Sequence, residues 1–569
     1  MGRPLKDLRD VWCGNPFAAG PDAARMARMS PSAARSKVAK EILRARWEFH
    51  PTIAAGAGLH RYDGRLPDYT KPSVRRRVAR IDRQLRALDA IEARSKPTGL
   101  ARVELGVLRG MLMKERVDLA DLREHEVLPP YHLFRLSVLN YLLRGYAPLD
   151  RRLRAVARLQ GQVPRYLRDF RATVRRRLPE TYYEMAEMAA RGIADQYARE
   201  LPEHLGKASP AVRRLAERAN GVAANEVKIL ANELEAKYKP RVKKEFAIGR
   251  RKYERMVRAE HIAPLSVERL LAVGMTDLEA NKRAFVETAA KIDGSKTPPQ
   301  VLEDISRDHP SPGRLVPDTQ RMLDELRQFV IDHDIVTVPS EERARVTETP
   351  RFYRFATAAM NSPGSFEKVA KEAFYYVTPV EDSWPPDKRE EWLRHLNYTS
   401  LRNISVHECY PGHYLHFLHR KLVKSTVLRS YISYAFTEGW AHYAEEMMVD
   451  QGLAGGDLRL RMAMLQDALL RNCRYVSSIR MHTQGWTWED ATRFFMENAF
   501  LDRLPAEREA KRGTWDPGYL NYTLGKLMIK KLRGDYFAQN RDVTLKEFHD
   551  ALLSLGQVRL ARERYRTHE

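Results

Sequence analysis

The chain has 569 residues, of which 98 are Lys or Arg and 74 Asp or Glu, giving a formal net charge of +24. Apolar residues at 43% and charged residues at 30% describe a folded globular protein and exclude a disordered one. Cys13, Cys409 and Cys473 are too few and too scattered for a disulfide framework or a cysteine-based zinc module.

Residues 1–20 are charged and lack a continuous apolar stretch, so no secretory signal is expected there. No apolar run approaches the roughly 18 residues of a membrane span, and the cysteine usage fits a reduced, cytoplasmic setting. Ala, Leu, Arg and Glu dominate the first half, and their periodicity predicts helices over 73–95, 99–124, 150–175, 181–199 and 209–258. The whole basic surplus lies here: residues 1–300 hold 60 Lys or Arg against 36 acids, whereas 301–569 hold 38 of each. Runs such as 71–80 and 175–177 read as solvated helical faces, and no recognised nucleic-acid motif accompanies them. Pro and Gly punctuate the chain at 296–299, 309–313 and 384–386, and the stretches 335–338 and 374–378 read as β. A boundary is therefore expected near 300, between a basic helical lobe (1–300) and a lobe carrying a metal site (301–569). The fold class expected is mainly α with a small β element.

One stretch carries chemistry: His407-Glu-Cys-Tyr-Pro-Gly-His413. Two histidines at i and i+4 on one helical face, with a Glu beside the first, make a zinc-hydrolase motif. Here the second His falls at i+6, which an unbroken helix would turn away from the first. Pro411 and Gly412 remove the objection, because they end one helix near Tyr410, allow a tight bend and let a second helix start at His413. A third ligand is expected from Tyr434-Ala-Phe-Thr-Glu-Gly-Trp-Ala-His-Tyr-Ala-Glu445. Its aromatics share one helical stripe, and Glu438, His442 and Glu445 share another. Glu438 and His442 are four apart and both suit a metal, but three His and one Glu would close a tetrahedral site against water. Cys409 lacks the histidine pattern of a cysteine nucleophile.

The His-Glu-x-x-Pro-Gly-His motif followed by Glu438-Gly-Trp-Ala441 resembles the hallmark of the bacterial family called domain of unknown function 885. Other segments are similar too: Tyr62-Asp-Gly-Arg-Leu-Pro-Asp68, Tyr375-Tyr-Val-Thr-Pro379, Pro517-Gly-Tyr-Leu-Asn-Tyr522 with Gly525, and Phe548-His-Asp-Ala551. The likeness covers nearly the whole chain and implies one continuous family domain from about 45 to 565. That family is similar in turn to helical zinc peptidases of the angiotensin-converting-enzyme, thimet-oligopeptidase and carboxypeptidase-Taq type. The resemblance implies a large two-lobed helical fold with a deep central cleft. It implies zinc held by His407, His413 and Glu438, Glu408 as general base, and Tyr522 or His482 as oxyanion donor. His442 is then expected to bond a carboxylate beside the site. The Pro-Gly insertion departs from those peptidases, and Arg480 departs from the relatives' pattern ahead of His482.

The expected chemistry is hydrolysis of short peptides: three ligands leave a place for water, Glu408 takes its proton, and a hydroxyl or imidazole stabilises the oxyanion. Arg480 or Lys526 would bind a peptide carboxylate and favour exopeptidase action. Two rivals stand beside this reading. One is a zinc hydrolase of a non-peptide amide or ester. The other is a basic nucleic-acid or lipid-surface binder with a vestigial metal site.

Overall fold

The computed structural model describes residues 30–261, 266–350, 354 and 357–558. Cys13 and the segment 1–20 lie outside them. In the first half the principal helices are α1 (Pro31–Phe49), α2 (Pro51–Gly56), α3 (Lys71–Ser95), α4 (Gly99–Arg116), α5 (Leu149–Gln160), α6 (Val163–Thr173), α7 (Glu180–Asp195), α8 (Pro210–Glu233) and α9 (Val267–Ile292). Then come α10 (Leu315–Asp332), β1 (Ala344–Glu348), β2 (Ala358–Asn361) and β3 (Ala373–Val377). The last part contains α11 (Tyr398–Glu408), α12 (His413–Leu422), α13 (Tyr434–Asp450), α14 (Leu458–Thr483), α15 (Trp488–Ala499), α16 (Arg503–Trp515), α17 (Asn521–Gln539) and α18 (Leu545–Ser554). No helix among the described residues is long and apolar enough to cross a membrane.

The periodicity located the helices, and tertiary contacts decided where they stop. Helix α4 runs on through wider π-helical turns to Leu122 and ends at Arg123, whose φ is +56°. The stretch 150–175 breaks at Gln162, whose side-chain amide donates to the Gly64 carbonyl and whose side-chain carbonyl accepts from the Leu66 N–H. The stretch 209–258 breaks where Lys243 and Glu180 exchange backbone hydrogen bonds with Leu178 and Lys243. Of the two β expectations, 374–378 becomes β3, but 335–338 is not a strand. Its backbone is claimed by side chains: the Ile335 carbonyl by His549, the Thr337 N–H by Asp550 and the Thr337 carbonyl by His419.

The sheet has the order β1-β3-β2, with β1 parallel and β2 antiparallel to β3. β3 is buried along its whole length, and β2 is an edge. The cores do not divide at 300. Apolar residues of α1, α3 and α4 pack in one cluster with those of α10, the sheet, α11–α13 and α18. A separate cluster gathers residues 133–238, including α5–α8. Both sit at apolar helical stripes, the ordinary source of helical stability in proteins.

Four histidines are built into these interiors as neutral rings. His132 bonds the His125 carbonyl at 2.7 Å, His482 the Gly513 carbonyl at 2.9 Å, His549 the Ile335 carbonyl at 2.7 Å, and His50 the Tyr69 hydroxyl at 2.9 Å. Burial pulls each from 6.5 down to about 4. Their folded pKa lies below the unfolded one, so this stabilisation is complete above pH 6.5 and is lost as pH falls toward 4. The loss reaches at most about 3 kcal/mol for each ring. Urea unfolding measured across that window should give a steadily falling free energy; a flat profile would show that the rings charge in place without cost.

Candidate metal centre

Helix α11 starts where the Asn397 side chain accepts the Ser400 N–H at 2.9 Å, and it ends at Glu408. Helix α12 starts at His413. The chain bends between them as the sequence predicts, and Gly412 is needed there for want of space. A Cβ at Gly412 would lie 1.8 Å from the His407 carbonyl oxygen and 2.4 Å from that of Val406. The Gly412 N–H closes the bend by donating to the Val406 carbonyl at 3.0 Å. The two imidazoles consequently face each other, with ring centroids 4.8 Å apart and planes at 82°.

Helix α13 brings the third group. Its first turn is capped by Ser433, whose hydroxyl accepts the Phe436 N–H at 3.1 Å. Gly439 then lets it press against α17 at Gly525: a Cβ on Gly439 would lie 2.5 Å from the Gly525 Cα, and one on Gly525 2.0 Å from the Ala435 carbonyl oxygen. Trp440, fully buried, donates its indole N–H to the Pro411 carbonyl at 2.9 Å, which ties α13 to the bend. His549 packs edge-on against that indole and bonds the Tyr443 hydroxyl at 2.9 Å.

These contacts place one oxygen of Glu438 3.5 Å from His407 Nε2 and 3.4 Å from His413 Nε2. The edges of a tetrahedral zinc site with ligands at 2.0–2.2 Å measure about 3.3–3.6 Å. Two imidazoles and a carboxylate suit zinc in chemistry, and the two edges at Glu438 suit it in size. Burial would raise the Glu438 pKa, but the two histidines hold it well below the ordinary carboxylate range. Burial and Arg471 push His407 down, yet its bonds with Glu438 and Glu445 prevail and lift it to about 9.

Behind His407 stands Glu445, fully buried, accepting from Nδ1 at 2.6 Å. That bond fixes the ring with Nε2 toward Glu438 and His413. Glu445 also takes Arg471 at 2.9 Å and the Asn403 amide at 3.3 Å, so its charge is matched although burial opposes it. His442 lies 3.5 Å from Glu445, not at the centre, and burial lowers it to about 3. It stands beside a carboxylate as expected, but the expected hydrogen bond is not made: both ring nitrogens are buried without a hydrogen-bond partner among the described residues. The supporting role of Glu445 was not foreseen, although its i+7 spacing from Glu438 placed it on the same stripe. Asn403 precedes His407 by one helical turn, a usable signal. Arg471 gave none.

Glu408 is turned to the sheet. One of its oxygens accepts the Met360 N–H of β2 at 2.9 Å, and a donor atom from each of His407, Glu408 and His413 lies within 4.8 Å of the others. Tyr522, at the start of α17, is close enough to Glu438 to feel its charge, and it accepts a hydrogen bond from Arg512 at 3.3 Å.

The remaining three predicted residues are not brought to this cluster. His482 is sandwiched near Tyr253, with Nε2 on the Gly513 carbonyl and Nδ1 3.4 Å from the Ile248 N–H, which leaves no ring nitrogen for a substrate. The Arg480 guanidinium lies over the Trp486 ring at 4.6 Å. Lys526 is buried and pairs with Glu446 at 3.1 Å. Those positions answer packing demands, which spacing along one chain does not reveal.

A helical fold enclosing a two-histidine, one-glutamate cluster is thus the class that geometry defines. The chain belongs to the family described as "Bacterial protein of unknown function (DUF885)", whose model matches residues 51–562. Two solved structures are similar. One is described as "a putative lipoprotein of unknown function from Shewanella oneidensis", at 23% identity and TM-score 0.75, covering 92% of this chain and 98% of that one. The other is "the putative lipoprotein from Colwellia psychrerythraea", at 16% identity and TM-score 0.76, covering 93% and 97%. No curated protein matches the chain.

Two sets of variants test the geometry. Zinc content should be lost in Glu438→Ala and retained in His442→Ala; the reverse result would overturn the ligand set. Gly412→Ala should lose zinc and about 1–3 kcal/mol of stability by overpacking. Should it fail to fold, Trp440→Phe removes the bond to Pro411 at the cost of a small cavity beside His549, and should still weaken zinc binding in a titration with a chromogenic chelator.

Proposed function

We propose that this protein is a zinc-dependent hydrolase that cleaves short peptides. The observation that carries the reading is the Glu438 carboxylate held 3.4–3.5 Å from two imidazole nitrogens, with a second carboxylate, Glu408, beside them but bonded elsewhere. Zinc held by His407, His413 and Glu438 would supply Lewis acidity and activate water at neutral pH.

The chain's own groups do the rest. Among the described residues Glu408 is held by a single backbone N–H, which leaves one oxygen to take a proton from water and deliver it to a leaving amine. Burial and the Glu438 charge raise the Tyr522 pKa, so the hydroxyl keeps its proton and serves as a donor to a developing oxyanion. Arg512 at its oxygen strengthens that donor. β2 is an edge strand whose Met360 N–H points at Glu408 instead of at β3, so an extended peptide laid along it would pass beside the base. This strand favours a peptide over a compact amide or ester.

Glu408→Gln should retain stoichiometric zinc and lose hydrolysis of a mixed peptide library by about 100-fold or more, the usual yield of a general base. Parent-level hydrolysis in that variant would remove Glu408 from the mechanism. Cleavage of small amides or esters with no cleavage of any library peptide would favour the non-peptide hydrolase. Tyr522→Phe should lower kcat with little change in KM, since its hydroxyl acts on the transition state.

A further inference from the structure

A cavity of about 200 Å³ lies past the end of β2, walled by Thr52, His60, Arg135, Asn140, Arg144 and Glu367 among others. Its two arginines are short of anions. Arg144 is 6% exposed, and its hydrogen bonds all run to neutral oxygens: the Glu372 carbonyl at 2.8 Å, the Ser362 carbonyl at 2.7 Å and the Asn361 side chain. Arg135 lies against the Tyr131 ring at 5.5 Å, and its Nε is buried with no hydrogen-bond partner among the described residues. The Thr52 hydroxyl on the same wall is likewise buried and unpartnered. A guanidinium withdrawn from water without a carboxylate is costly, and two around one cavity are a receptor in want of an anion.

The acids of the cavity do not fill that need, because they are already engaged. Asp63 accepts from His60 Nδ1 at 3.2 Å and from the Tyr146 hydroxyl at 2.8 Å. Glu367 accepts from His60 Nε2 at 2.7 Å and from the Val369 N–H at 2.9 Å. Burial opposes the charge on His60, but these two carboxylates raise its pKa, and the ring is stacked on Tyr146 at 3.7 Å. With His60 charged, three cations face two anions, and one net positive charge remains. That balance matches a monoanion and disfavours a phosphate dianion.

We propose that this cavity is a binding site for a carboxylate, held by Arg135 and Arg144 with the Thr52 hydroxyl. Its position bears on the metal centre. Arg144 grips Asn361 and Ser362, and Met360, one residue earlier, binds Glu408. From Met360 to Gly364 on the cavity wall, an extended chain spans at most about 13 Å. A carboxylate here would belong to the end of a peptide whose bond beside Glu408 lies three or four residues away. That assignment to a peptide rests on the hydrolase proposed above, whereas the carboxylate site itself does not.

The test uses the full-length protein stripped of metal with a chelator, so that no probe is consumed. Calorimetric titration with acetyl-tetra-alanine should show the free acid binding at least about ten-fold tighter than its C-terminal amide. Arg135→Gln, which removes the unpartnered Nε together with the contact on Tyr131, and Thr52→Val, which removes only an unpartnered hydroxyl, should each abolish most of that preference without changing the circular dichroism. Butyrate binding that is lost in the same variants, without an acid-over-amide preference, would assign the site to free monocarboxylic acids. Equal binding of acid and amide with no binding of butyrate would overturn the proposal, as would an acid preference that survives both variants. Hydrolysis plays no part in these readings, so an absence of peptidase activity would remove the peptidase and leave the carboxylate site standing.

Discussion

The candidate centre depends on how closely backbone can approach backbone. At Gly412 the chain folds back onto the carbonyls of Val406 and His407, closer than any Cβ allows, and that contact turns His413 to face His407. At Gly439 and Gly525 two helices touch with no side chain between them, and that contact sets the depth at which Glu438 enters. A Cβ in either space would overlap backbone atoms and force the elements that carry the donor atoms apart. The Trp440 indole on the Pro411 carbonyl joins the two contacts into one unit.

Electrostatics then limits what that unit can hold. A fully buried Glu445 would be intolerable alone, but it is matched by Arg471 and by the Nδ1 of His407. The same rule explains Lys526 one helix away: Glu446 at 3.1 Å satisfies it, so its charge supports the fold and is not available for a substrate. The charges of Glu445 and Lys526 are paired within the protein. In the cavity past β2 the two arginines have no carboxylate in an ion pair among the described residues, and that contrast separates structural charge from charge that awaits a ligand.

The sheet, small as it is, links the two places. β3 is buried throughout and anchors it, while β2 at the edge presents Met360 to Glu408 and, one and two residues on, Asn361 and Ser362 to Arg144. An edge strand left unpaired in a protein is normally covered or blunted. Here it runs between a candidate base and a candidate carboxylate site, which gives an open edge a use.

Much of this was legible along the chain, because helix formation and i-to-i+7 neighbourhood are local properties. The periodicity located the helices around 73–95 and 181–199. Pro411-Gly412 announced the bend, and one helical stripe brought Glu438, His442 and Glu445 to one side. The family likeness, which the match over residues 51–562 bears out, supplied the choice of Glu438. Contacts between distant residues were not legible. Arg471 behind Glu445, Met360 on Glu408 and the pairing of Lys526 with Glu446 each join different elements, and packing alone chose them. His482 shows the difference most sharply. The family resemblance placed it among the candidates, but the interior needed a donor for the Gly513 carbonyl and an acceptor for the Ile248 N–H. A buried polar group must be satisfied where it lies, so the tertiary structure, not the local spacing, decided what that histidine does.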